Sequence, residues 1–202
     1  MNVILLPVTE LGIILLGEAR SGKSSTGNTI LGRKEFKETL ATRTCRTHST
    51  NMKGRKIWVT DTPEITTEGV KTKIKNCMSS SFDGCCVFLL VINAAVGFRK
   101  VDRNNVKWIE ENFGEGALLH TIVLFTHADQ IEEETMDQYF TVRPELRHLV
   151  NSCGNRYHTF NNRDQSPPQV TALIEKIDEM IRANGGWCYT SMTYQEFQRK
   201  IR

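Results

Sequence analysis

A chain of 202 residues, 39% hydrophobic and 24% charged, has the content of one α/β domain with a real core and is too short for two comfortable ones. Its net charge of +3, with no Lys/Arg cluster interleaved with aromatic residues, gives no footprint of a nucleic-acid binder. No stretch approaches the ~20 apolar residues of a membrane helix, so no membrane segment is expected.

The N-terminal MNVILLPV is apolar but lacks a basic n-region, so residues 1–10 read as an extended lead-in rather than a signal peptide. Beyond it, apolar runs occupy residues 11–16, 56–60, 85–92 and 121–125, with a weaker run at 157–160. Their lack of polar alternation suits strands buried on both faces. Helical patterns fall between and after them, at 23–31, 67–80, 101–113, 136–150 and 170–181. This alternation predicts a three-layer α/β fold, with a mostly parallel central sheet and helices on both faces. The most periodic helix carries Val170, Leu173, Ile174, Ile177 and Ile181 on one stripe, with Ser166-Pro167-Pro168 as its start and Asn184-Gly185-Gly186 as its stop. The pair Gly185-Gly186 separates a main unit, residues 11–186, from a tail at 187–202. That tail is rich in aromatics and is either folded back on its own domain or a partner surface. Six cysteines form no CxxC pair, so no zinc site is expected. Cys85 and Cys86 read as small hydrophobes in a buried strand, which favours a reducing compartment.

The run Gly17-Glu18-Ala19-Arg20-Ser21-Gly22-Lys23-Ser24 fits G-x-x-x-x-G-K-[ST] and follows the first apolar run. A strand that breaks into a glycine turn and then a helix lets backbone N–H groups converge on phosphate oxygens. Lys23 adds charge for the terminal phosphates, the Ser24 hydroxyl suits Mg²⁺, and Ser25 continues the cradle. Asp61, at the end of the second run, can hold Mg²⁺ through a water opposite that serine. In Thr126-His127-Ala128-Asp129, the Asp129 carboxylate can accept both N–H groups of guanine, whereas adenine would leave it unpaired. His127 would lie flat on that ring. The corner Tyr157–Phe160 followed by two asparagines offers Asn161 as a base contact, with Asn162 close behind.

In this order, the strings GKSSTGNTILGRKEF, VTDTP, LFTHADQIEEE and RYHTFNN with NGGWCYT resemble the immunity-associated GTPases, the IMAP or AIG-type family, relatives of septins and chloroplast import GTPases. The likeness runs from about Leu11 onward. It implies a Ras-like P-loop GTPase fold with an additional helical element between the third and fourth phosphate-site segments. It also implies GTP/GDP with Mg²⁺, dimerisation through the nucleotide face when GTP is bound, slow hydrolysis, and a cytoplasmic protein whose C-terminal extension can reach the cytosolic face of a membrane. By position, Thr42 resembles the switch threonine that senses the γ-phosphate and lies on the metal side, with Thr44 as the alternative.

The chain departs from the family pattern in three places. Glu64 stands where DTPG carries glycine, which predicts weakened γ-phosphate sensing with GDP binding largely spared. Ile65 stands where fast GTPases orient water with glutamine, and His48 or His158 are conceivable substitutes, although each reads better as a surface or packing residue. Arg20 is a candidate to stabilise phosphate charge or to reach a partner across a dimer; the alternative is an arginine facing solvent. The expectation is therefore a guanine-nucleotide switch or oligomerising scaffold with slow turnover. The alternatives are a degenerate GTPase that binds mainly GDP as an interaction module, and an efficient GTP-hydrolysing enzyme.

Overall fold

The computed structural model describes residues 8–38, 44–65, 69–81, 84–96, 100–131, 135–164 and 166–200. Its strands are β1 (Glu10–Leu16), β2 (Arg46–Met52), β3 (Arg55–Asp61), β4 (Cys85–Asn93), β5 (Thr121–Thr126) and β6 (Tyr157–Phe160). They form one sheet in the order β2-β3-β1-β4-β5-β6, parallel except for the antiparallel β2–β3 pair. The helices are α1 (Lys23–Leu31), α2 (Val70–Ser81), α3 (Lys100–Phe113), α4 (Met136–Thr141), α5 (Pro144–Ser152), α6 (Pro167–Ala183) and α7 (Ser191–Lys200). The expected three-layer arrangement is therefore present. Between Asp61 and Thr126 stand α2, α3 and a 3-10 turn at Glu115–His120.

The central strands β1, β4 and β5 are apolar on both sides because two cores use alternate residues. Leu11, Ile13 and Leu15 of β1 face the core beneath α1 and α6, while Ile14 and Leu16 face the core with α2, α3, α4 and α5. The anticipated stripe of α6 packs as predicted, with Val170, Leu173, Ile177 and Ile181 buried and Ile174 partly buried.

Three expectations need correction. The strand β2 was not foreseen, because RTHSTNM is polar and none of its residues is buried. It is an edge strand, turned back onto β3 by Lys53 and Gly54 at φ 50° and 80°. Positive φ at both central positions is the geometry of a tight hairpin, but a lysine in the first of them hides the usual Asn-Gly signal. The helix expected over 136–150 is two helices, because Pro144 opens α5 at its first position and cannot continue α4. Cys85 is not a free thiol. The Cys86 backbone N–H donates to the Tyr189 carbonyl at 2.8 Å, and this isolated bridge brings Cys188 beside Cys85, to which it is disulfide-bonded. That bond removes the ground on which a reducing compartment was read from the cysteines.

The tail folds back on the domain. Tyr189 and Tyr194 are 1% and 4% exposed and join the core around Phe88 and Phe113.

Candidate functional site

The strand order reverses at β1, whose connection leads to one side of the sheet while β4 leads to the other. In open α/β sheets the crevice at the carboxyl ends of such strands is the usual ligand position. The turn after β1 sits there. Gly17 has φ +143°, and a Cβ added to it would lie 2.5 Å from the Val91 carbonyl oxygen of β4, so only glycine lets the loop pass this close. Gly22, at φ 96°, starts α1, whose first turn has neither a side-chain cap nor an acidic residue. Its N-terminal N–H groups therefore remain suited to an anion.

Lys23 bends back across this loop, donating from Nζ to the carbonyls of Gly17 at 3.0 Å and Glu18 at 2.7 Å. Burial pushes its ammonium pKa down, opposed by the carboxylates of Asp61, Glu64 and Glu18. Ser24 Oγ donates to Asp61 Oδ2 at 2.7 Å, so the two residues expected on the metal side meet. Ser21 is buried and its Oγ has no hydrogen-bond partner among the described residues. A loop with glycine at its two tight points, a buried lysine and an unsatisfied hydroxyl fits a phosphate, and the adjoining hydroxyl–carboxylate pair fits a hard cation. Ala19 and Ser25 are half-buried beside them. Arg20 is exposed, at φ 61°, on the rim of the loop.

Thr126 joins this cradle to the second half of the site. Its Oγ1 donates to the Ser21 carbonyl at 2.6 Å, and a Cβ on Gly22 would approach its side chain to 3.1 Å. His127 follows at φ 58° with Nδ1 3.0 Å from that same hydroxyl. Asp129 is half-buried, its Oδ2 3.7 Å from Arg163 Nη1. Thr126 and Arg163 are functional candidates that sequence reasoning missed. The first was visible only as a letter of the THAD string, and the second had no signal beyond its charge. Asn161 and Asn162 have different partners. Asn162 bonds Thr29 and Thr26 of α1 through both ends of its amide, whereas the Asn161 carbonyl oxygen of the side chain accepts from the Arg163 backbone N–H at 2.9 Å. Asn162 thus ties the corner to α1, and Asn161 shapes the turn that presents Arg163.

Thr42 lies outside the described residues, and its alternative Thr44 is exposed. Glu64 is half-buried and near enough for its carboxylate to act on Lys23. Ile65 is 5% exposed and packs in the core with residues of α2 and α3. His48 packs edge-on against Phe36, and His158 is held near the Gln169 carbonyl, so both are packing histidines. The string GNTILGRKEF is structural as well. A Cβ on Gly27 would lie 2.6 Å from the Phe36 ring, and Asn28 Oδ1 accepts from the backbone of Glu35 and Phe36 while Nδ2 donates to the Phe36 carbonyl.

The model of the AIG1 family matches residues 11–202. Human GTPase IMAP family member 8 is 34% identical over 193 residues, covering 89% of this chain and 29% of the relative. Immune-associated nucleotide-binding protein 10 of Arabidopsis thaliana is 31% identical, covering 93% and 44%. The chain thus spans less than half the length of either relative. Among solved structures, Toc33 of Arabidopsis thaliana in complex with GDP and Mg²⁺ superposes with a TM-score of 0.65 at 19% identity, covering 85% of this chain and 84% of the other. A second structure, described as showing that dimerisation is important for the GTPase activity of chloroplast translocon components, has a TM-score of 0.68 at 20% identity, covering 86% and 83%. At such identity the likeness is one of fold. No described helix is long and apolar enough to cross a membrane.

Proposed function

The chain belongs to the AIG1 family, and on that footing we propose that it is a guanine-nucleotide-dependent switch or oligomerising scaffold with slow intrinsic GTP hydrolysis. The observation that carries this reading is the meeting of buried Lys23 with the Ser24–Asp61 pair at the end of β1. Lys23 and the N–H groups at the start of α1 would bind phosphate, Asp129 would accept from guanine, and His127 would cover its face. Ser24 and Asp61, with Thr42, are the residues that would hold Mg²⁺, which when bound screens phosphate charge. Ile65 has no group to orient water and packs inward, which supports slow turnover. The dimerisation described for the Toc33-type neighbour supports assembly with a second copy when GTP is bound, and a cytoplasmic setting is part of the same proposal.

Glu64 favours a second reading. A carboxylate that acts on Lys23 competes with a γ-phosphate for the same charge, so a protein that binds mainly GDP follows.

Calorimetry with GDP, a non-hydrolysable GTP analogue and ATP tests the site, and light scattering in each state tests the switch. Lys23→Ala is expected to weaken both guanine nucleotides by about 100-fold, the loss of a charged contact, with ATP bound poorly throughout. Assembly is expected with the GTP analogue alone. Tight ATP binding sinks the guanine assignment. Equal behaviour in all states favours the GDP binder, for which Glu64→Gly should selectively restore affinity for the GTP analogue.

A further inference from the structure

Outside the phosphate loop, the described part of the chain brings two further cysteines together that are far apart in sequence. Cys45 stands immediately before β2, and Cys77 lies on α2. Both are half-buried, and their side chains are hydrogen-bonded thiol to thiol. The Thr47 hydroxyl, itself paired with Thr60 at 2.9 Å, also bonds Cys77. Two elements that follow the two phosphate-side segments of the chain are therefore joined by a contact between sulfur atoms.

We propose that Cys45 and Cys77 are an oxidisable dithiol, a modification site whose disulfide fixes α2 against β2 and thereby alters the choice between GDP and GTP. The effect on nucleotide rests on the functional reading above; the chemistry of the pair does not.

The two thiols have unequal roles. The hydrogen bond from Cys45 lowers the Cys77 thiol to about 7, against the effect of burial, and Thr47 assists; Cys45 is pushed up by the same bond and by burial. Cys77, held below the ordinary thiol range by that bond, is the attacking sulfur. With hydrogen peroxide as oxidant, the Cys77 thiolate attacks one oxygen, the O–O bond breaks, and hydroxide leaves to give a sulfenic acid. The Cys45 sulfur attacks that sulfur, gives up its proton, and displaces hydroxide as water. The dithiol loses two protons and two electrons, and the peroxide becomes two waters. Cys86 and Cys153 are the internal controls, since burial pushes both thiols up to about 12.

The test treats the whole chain with hydrogen peroxide, maps peptides without reduction, and measures affinity for GDP and a non-hydrolysable GTP analogue before and after. A Cys45–Cys77 cross-linked peptide is expected, two hydrogens lighter and reversed by dithiothreitol, with Cys86 and Cys153 still thiols. In Cys45→Ser, Cys77 is expected to proceed to sulfinic acid. The ratio of the two affinities should change by about fivefold or more on cross-linking. Absence of the cross-linked peptide overturns the site whatever the nucleotides do. A cross-link with an unchanged ratio overturns the coupling. A cross-link in a protein that binds neither nucleotide in either redox state overturns the guanine reading and leaves the thiol chemistry standing.

Discussion

At the carboxyl end of the sheet, Gly17 and Gly22 bend the chain through positive φ, Lys23 is buried among three carboxylates, and Ser21 Oγ has no partner among the described residues. At the amino end of the same strands, Tyr189 packs between Phe88, Phe113 and His120, its hydroxyl donates to the Phe113 carbonyl at 2.8 Å, and Cys188 is bonded to Cys85. One end buries a charge and leaves a buried hydroxyl without a partner; at the other, the aromatic cluster around Tyr189 fills its space and is clasped by the disulfide. The difference is that between a surface organised for a ligand and one organised for stability. A change at the amino end should cost stability without affecting binding, whereas a change at the carboxyl end should always affect binding.

The largest effect is expected from Cys188→Ser. The bond spans 103 residues, and opening a loop of that size costs about 4.7 kcal/mol in the chain-entropy account. For a chain of this length that corresponds to a fall in Tm of about 10 °C, with affinity for GDP unchanged. A loss of nucleotide binding at temperatures where the variant is folded would break the separation of the two ends. Gly17→Ala comes next. It forces a side chain into left-handed backbone and against the Val91 carbonyl, so a loss of about 3 kcal/mol is expected together with loss of nucleotide binding. Retention of binding would show that the loop is less constrained than its contact with β4 requires.

The smallest effect is a pH dependence. Burial, with the Arg156 charge second, lowers His120 from 6.5 to about 4, and burial likewise lowers His158 to about 4. Below pH 6.5 the unfolded chain binds protons that the folded chain does not, so stability is full above that value and declines as pH falls toward 4. Denaturant midpoints should follow this fall, and His120→Gln should flatten its share of the slope. His120 contacts the tail through Tyr189 and the end of α6 through Asn184, so an equal slope in that variant would remove the amino end from the pH response.

The parts legible in the sequence are those whose cause is local. The phosphate loop could be read because its glycines, lysine and serine are contiguous, and β1 and β4 because burial on both faces leaves an unbroken apolar run. The strand β2 was hidden because its pairing with β3, not its own side chains, makes it a strand. Ile65 could be identified as a departure from a pattern, yet only packing shows that it points into the core. Thr126, Arg163 and the Cys45–Cys77 contact depend on the fold bringing distant segments together, and no spacing encodes them. The bond of Cys85 to Cys188 belongs with them, since it follows from the register of Tyr189 on β4.

That register also bears on where the folding unit ends. The glycine pair at 185–186 looks like a boundary, but beyond it the chain supplies a hydrogen-bonded edge to Cys86, a lid over Phe88 and Phe113, and a covalent clasp. A fragment cut at Gly186 would present those two rings to water and leave a bare amide at the start of β4, a sticky surface prone to self-association. The stretch that reads as an appendage is therefore one of the domain's walls.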